Sequence, residues 1–173
     1  MKRLLLLRHA KTEPGGAAIE DHERELTLRG QQDAAAMGRF MDRKHYLAEA
    51  VFCSAATRTR QTADLVLREW RAPPPVDYRE AFYLADAKIL IAAIRAAPDV
   101  PSLMLVGHNP GIEKCAGLLA REPAKAKQRD ALDVLEEKFP TAALAVLDFD
   151  IGAWRQVAPG GGVLTDFIRP RDL

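Results

Sequence analysis

Cysteine is scarce in this 173-residue chain. Cys53 and Cys115 are the only two, too few for a disulfide framework, and such usage points to a reducing, cytoplasmic setting. Long apolar runs are missing as well: nothing approaches the roughly 20 residues that cross a bilayer, so no membrane association is expected. Leu4 to Leu7 hint at a secretion signal, but Arg8 and His9 end the run far too early. Net charge is nearly absent, with 25 Lys and Arg against 24 Asp and Glu. That balance weighs against a nucleic-acid partner, whose binding rests on many phosphate contacts, yet it leaves room for a small positive pocket.

Recognisable metal and nucleotide motifs are lacking too. The four histidines stand at 9, 22, 45 and 108, with no His-x-x-x-His or Cys-x-x-Cys pair, so no metal site is expected. Gly160-Gly161-Gly162 has neither the lysine nor the spacing of a phosphate-binding loop. It reads as a turn, and no cofactor is implied. There is no repeat, linker or low-complexity tract, which leaves one domain over residues 1–173.

What is present is the composition of a globular protein, 48% hydrophobic and 28% charged, long enough to bury a core without staples. Residues 3–7 read as a strand covered on both faces, followed by a polar, Gly-containing loop over 12–25. Thr27 is placed to cap a helix running to about residue 42. Val51-Phe52-Cys53 is a short strand, and Ser54 is suited to cap a helix over about 56–70. Pro73-Pro74-Pro75 is a rigid connector to an extended segment at 76–78, and 86–97 is a helix stopped by Pro98. Ser102 to Val106 reads as a strand and is followed by a helix to about 120. The charged stretch 121–130 should face solvent, with a short helix over 131–138. Ala143–Phe149 and Trp154–Ala158 read as two antiparallel neighbouring strands around a turn at 150–152. The alternation predicts an α/β three-layer sandwich, its mostly parallel central sheet carrying helices on both faces and one antiparallel strand.

Ligands of such sheets collect beyond the carboxyl ends of the strands. Three of those ends carry groups suited to phosphate: Arg8-His9, Ser54 with Arg58, and His108-Asn109. A guanidinium can grip phosphate oxygens two at a time. Arg58 and Arg60 lie two apart and cannot share a helix face, so at most one points into a site. Gly107 and Pro110 place His108 and Asn109 beside a helix N-terminus, which favours an anion; equally, Asn109 could simply cap the helix. His22 and His45 read as surface or structural residues.

Three stretches together resemble the histidine phosphatase superfamily, also called phosphoglycerate-mutase-like: Leu7-Arg8-His9-Ala10, Ser54 to Thr62 (Ser-Ala-Ala-Thr-Arg-Thr-Arg-Gln-Thr), and Val106 to Gly111 (Val-Gly-His-Asn-Pro-Gly). Leu26-Thr27-Leu28-Arg29-Gly30 adds to the likeness, which runs over nearly the whole chain and is nearest to the small SixA-type phosphohistidine phosphatases. The resemblance implies His9 as nucleophile, Arg8 and Arg58 as phosphate ligands, and His108 as the second histidine of the pocket, with Asn109 beside it. Ala10 replaces the glycine commoner in the superfamily. Glu80 falls where larger relatives carry a carboxylate proton donor, but their glycine-rich surroundings are missing, and a surface carboxylate explains it equally well.

The chemistry expected of these groups is in-line attack by neutral His9, with charge on the phosphoryl oxygens met by Arg8, Arg58 and His108, then hydrolysis of phospho-His9. An alkoxide leaving group would need an acid, for which Glu80 and His108 are the candidates; a leaving imidazole is less demanding. Residues 79–101 leave little room for a cover over the pocket. An open pocket would admit a protein-borne phosphohistidine or phosphoester, and the resemblance implies phosphohistidine on a protein, such as a histidine phosphotransfer domain, as the substrate. The alternatives are a small phosphoester substrate and a phospho-residue binding module without turnover.

Overall fold

Leu4 to Leu7 sit at the centre of the sheet. The computed structural model describes residues 1–173, and in it β1 (Lys2–Arg8) lies between β4 (Ser102–Gly107) and β5 (Leu144–Phe149). Successive side chains of a strand point to opposite faces. Leu4 and Leu6 accordingly enter one hydrophobic cluster, and Leu5 and Leu7 enter the other. All four are fully buried, which is why the run shows no polar alternation.

The remaining strands are β2 (Ala50–Ser54), β3 (Val76–Arg79) and β6 (Gly162–Ile168), giving the six-stranded order β3-β2-β4-β1-β5-β6. β1 to β4 are parallel, and β5 runs antiparallel to both β1 and β6. This is the expected sandwich with one reversed strand. Helices α1 (Leu28–Lys44) and α2 (Thr57–Leu67) cover one face through Ala34, Met37, Met41, Ala63 and Val66. Helices α3 (Ala87–Arg95), α4 (Gly111–Leu119) and α5 (Ala126–Glu137) cover the other through Leu90, Ile94, Ile112, Leu119 and Leu135. No helix is long and apolar enough to cross a membrane.

The start of α1 shows how the Leu-Thr-Leu-Arg-Gly stretch works. The Thr27 hydroxyl accepts the Gly30 amide at 2.9 Å, a side-chain N-cap. The Thr27 amide donates to the Lys11 carbonyl at 2.9 Å. A Cβ on Gly30 would meet that same carbonyl oxygen at 2.1 Å, so only glycine lets the helix approach the chain that leaves β1.

Three sequence expectations need correction. Trp154–Ala158 is not a strand: Trp154–Gln156 form a 3-10 turn that buries Trp154 and Val157 against the α3 side of the core. The strand paired with β5 is β6, which starts at the last glycine of the triplet. Ser54 is also not a simple helix cap. Its hydroxyl lies 3.4 Å from the Ala56 amide but only 2.7 Å from His108 Nε2. The 121–138 region yields one helix, α5, beginning earlier than expected.

Candidate active site

Because β1, β2 and β4 are parallel neighbours, their carboxyl ends lie together. Arg8 pairs with Gly107 across β1 and β4, and the His9 amide donates to the Gly107 carbonyl at 3.0 Å. The rings of His9 and His108 are thereby brought to 5.3 Å between centroids. They line a cavity of about 420 Å³ together with Arg8, Arg58, Asn109, Lys11, Thr12, Asp21, Arg24, Leu84 and Thr141. Four cations in these walls face a single carboxylate, Asp21. The near-neutral chain does conceal a strongly positive pocket.

His9 Nδ1 lies 2.8 Å from the Ala10 carbonyl, which can only accept, so Nδ1 carries the proton. Nε2, with its lone pair, has no protein partner. Ala10 is fixed in turn: its amide donates to Thr62 Oγ1 at 3.0 Å, and Thr62 is anchored on the Arg58 carbonyl at 2.7 Å. Burial is the main reason the His9 imidazole falls to about 4; Arg58, Arg8 and Arg24 push the same way, against the Ala10 carbonyl. His108 falls to about 3, again chiefly through burial, with His9, Arg58 and Arg8 adding to it and Asp21 opposing. Both rings are neutral at neutral pH.

Arg8 donates from Nη1 to the Phe139 carbonyl at 2.9 Å, and burial lowers its guanidinium from the usual value. Arg58 comes from the first turn of α2 and is almost fully buried. Its Nη1 and Nη2 donate to the carbonyl and carboxylate of Asp21 at 2.6 and 3.0 Å. Arg60 turns away and stacks over Tyr78 at 4.1 Å. Five buried side-chain polar atoms in the whole protein lack a partner, and four belong to this pocket: Arg8 Nε, Arg58 Nε, His108 Nδ1 and Asn109 Oδ1. Buried polar groups are normally paired, so such a concentration marks a site kept for a ligand.

Two of the expected site residues sit differently. The Asn109 amide spends its donor on Glu113 at 2.8 Å and on the Phe139 carbonyl at 3.0 Å, leaving only an acceptor oxygen, which would not bind phosphate. Glu80 is exposed, does not line the pocket, and lies 3.2 Å from His22 Nε2. His45, in a left-handed conformation, ends α1 and is remote from the pocket walls.

Asp21 was not foreseen. It sits in a 3-10 turn (Asp21–Glu23) within the loop after β1. Oδ2 accepts from Tyr83 at 2.5 Å as well as from Arg58, and Oδ1 accepts from Arg24 at 3.0 Å. The Tyr83 hydroxyl and the Arg24 and Arg58 guanidinium groups hold its carboxyl far below the usual carboxylate range. No periodicity marks a residue in a polar loop, so nothing in the sequence singled it out. The same holds for Tyr83, whose ring meets His108 edge-on at 5.6 Å. No group of three or more His, Cys, Asp or Glu side chains converges as a metal-ligand set.

A neutral imidazole with a free Nε2, flanked by guanidinium groups, is able to take up a phosphoryl group. Comparison with known proteins agrees with that geometry. Residues 4–83 match the histidine phosphatase superfamily (branch 1). An uncharacterised protein of Mycobacterium tuberculosis is 36% identical over 167 residues, covering 95% of this chain and all of the relative. A solved structure of a candidate phosphohistidine phosphatase SixA from Agrobacterium tumefaciens has a TM-score of 0.81 at 29% identity, covering 98% of both chains. Its counterpart from Nakamurella multipartitia has a TM-score of 0.81 at 32% identity, covering 98% of this chain and 96% of the other. The chain belongs to the histidine phosphatase superfamily.

Proposed function

We propose that this protein is a metal-independent phosphatase of the SixA type that removes phosphoryl groups from phosphohistidine on a protein, with His9 as the covalent nucleophile. The observation that carries the reading is the state of His9: neutral, with Nδ1–H fixed on the Ala10 carbonyl and Nε2 free in a cationic pocket. Nε2 attacks phosphorus as the bond to the leaving group breaks. Arg8, Arg58 and His108 meet the charge on the phosphoryl oxygens, the largest kind of catalytic contribution in such reactions. Water then attacks phospho-His9, giving inorganic phosphate and restoring the imidazole.

The protein substrate is supported by two further points. Between β3 and β4 the chain contains only a 3-10 turn (Glu80–Phe82) and α3, which leaves the pocket without a large cover. The solved structures of similar sequence carry the phosphohistidine phosphatase name. A histidine phosphotransfer domain is the kind of partner this reading proposes, and a cytoplasmic location goes with it.

The test is phosphate release from a phosphohistidine-bearing phosphotransfer protein, in parallel with a panel of small phosphoesters, with chelator present. The proposal expects release that survives the chelator, is faster on the phosphoprotein, and is lost in His9→Ala. Faster turnover of the small esters would replace the substrate assignment, and tight binding of the phosphoprotein without turnover would make the chain a binding module.

A further inference from the structure

The pocket supplies cationic grip but no obvious acid. His9 and His108 are both neutral, Asp21 is held ionised, and Glu80 lies outside. None of the carboxyl or imidazole groups lining the cavity carries a proton to give an alkoxide at neutral pH. A leaving group that brings its own proton escapes this difficulty. A protonated phosphoimidazole is such a group, because it departs as neutral imidazole once its N–P bond breaks.

The one carboxylate in the walls is placed to read that proton. Asp21 cannot swing aside: Arg58, Arg24 and Tyr83 hold it by three hydrogen bonds, and its own carbonyl takes a further bond from Arg58. Oδ1 accepts only from Arg24 and retains a free lone pair, and nearly half of the side chain remains exposed. An anion fixed at the edge of a phosphate pocket repels any dianion that enters. Beyond anchoring Arg58, it favours a substrate that also carries positive charge, and like-charge opposition of this kind is a common means of rejecting wrong ligands.

We propose that Asp21 is a specificity-determining residue, whose carboxylate accepts a hydrogen bond from a protonated nitrogen of the leaving group and so favours N-phosphorylated substrates over phosphate esters. The inference rests on the assignment of His9 as nucleophile. The step balances. The His9 Nε2 lone pair forms the new P–N bond, and the old P–N pair returns to the leaving ring, which departs neutral with its other N–H still on Asp21. Phospho-His9 keeps its Nδ1 proton and inherits the positive charge. Water then yields dihydrogen phosphate and neutral His9.

The experiment compares wild type and Asp21→Asn on a phosphohistidine peptide and on p-nitrophenyl phosphate, whose leaving group also needs no acid. The ratio of the two kcat/KM values is read, since it does not depend on how much of the variant is folded. With the charged acceptor gone, the ratio should fall by about 10-fold or more toward the ester, the scale of one charge-assisted hydrogen bond. An equal fall on both substrates would mean that Asp21 only supports Arg58, and no change on either would mean it has no role; both outcomes overturn the proposal. Absence of turnover on both substrates by the wild type would overturn the His9 assignment and this inference with it.

Discussion

Replacing His9 by Asn should change how stability responds to acid. The Asn side chain can keep the donation to the Ala10 carbonyl but cannot protonate. In the wild type, His9 falls from an ordinary 6.5 to about 4 on folding. Between those values the unfolded chain binds a proton that the folded protein refuses, so stability rises with pH across this window and is lost as pH falls through it. A difference of about 2.5 pKa units corresponds to roughly 3 kcal/mol. The ring is nearly buried, so solvent screening removes little of this. His108, whose lowered pKa acts in the same direction, and the carboxylates are common to both proteins and largely cancel in the difference. Urea unfolding followed by the fluorescence of Trp70 and Trp154, both buried, measures it at pH 7, 5.5 and 4 in phosphate-free buffer. Wild type should lose about 3 kcal/mol more than His9→Asn between pH 7 and 4. Parallel curves would show that the pocket does not hold His9 neutral, and the argument for a ready nucleophile would fail.

Other expectations follow from single contacts. Arg58→Lys keeps the charge but loses the fork that reaches Asp21 twice, and kcat/KM should drop about 10²–10³-fold, the scale of a lost oxyanion donor. Gly30→Ala forces a Cβ onto the Lys11 carbonyl and should cost about 1–3 kcal/mol in chemical denaturation, despite alanine's better helix propensity. It should also slow turnover, because Lys11 adjoins the Ala10 carbonyl that orients His9. His45→Gly relieves a left-handed residue at the end of α1 and should raise stability by roughly 0.5–1 kcal/mol, with activity unchanged.

Much of this architecture is legible from local chemistry. Four leucines before Arg8 imply a strand buried on both faces, and the Thr27 cap and Pro110 mark where α1 and α4 begin. Parallel connection then brings His9, Arg58 and His108 together without further information. β6 escapes such reading for a physical reason. Its pairing with β5 skips Thr165, a bulge that puts Leu164 and Phe167, three apart in sequence, on the same inward face and erases period-two alternation. Trp154 and Val157 are both inward-facing at a spacing of three, as in a 3-10 turn, but their aromatic and β-branched side chains are those favoured in strands. The roles of Asp21, Tyr83 and Ser54 depend on contacts between segments far apart in sequence, and no local spacing encodes them. Asn109 shows the converse. Its position beside His108 is right for a phosphate donor, but Glu113 and Phe139 claim the amide first.

The central claim is that Nε2 of His9 becomes phosphorylated. Rapid quenching of wild-type enzyme with a phosphohistidine substrate, under alkaline conditions that preserve N–P bonds, followed by peptide mapping and phosphorus NMR, tests it directly. The account predicts an acid-labile phosphoryl group on His9, bonded at Nε2 because Nδ1 is committed to Ala10. Phosphate release with no label on His9, or label on Nδ1, would contradict it.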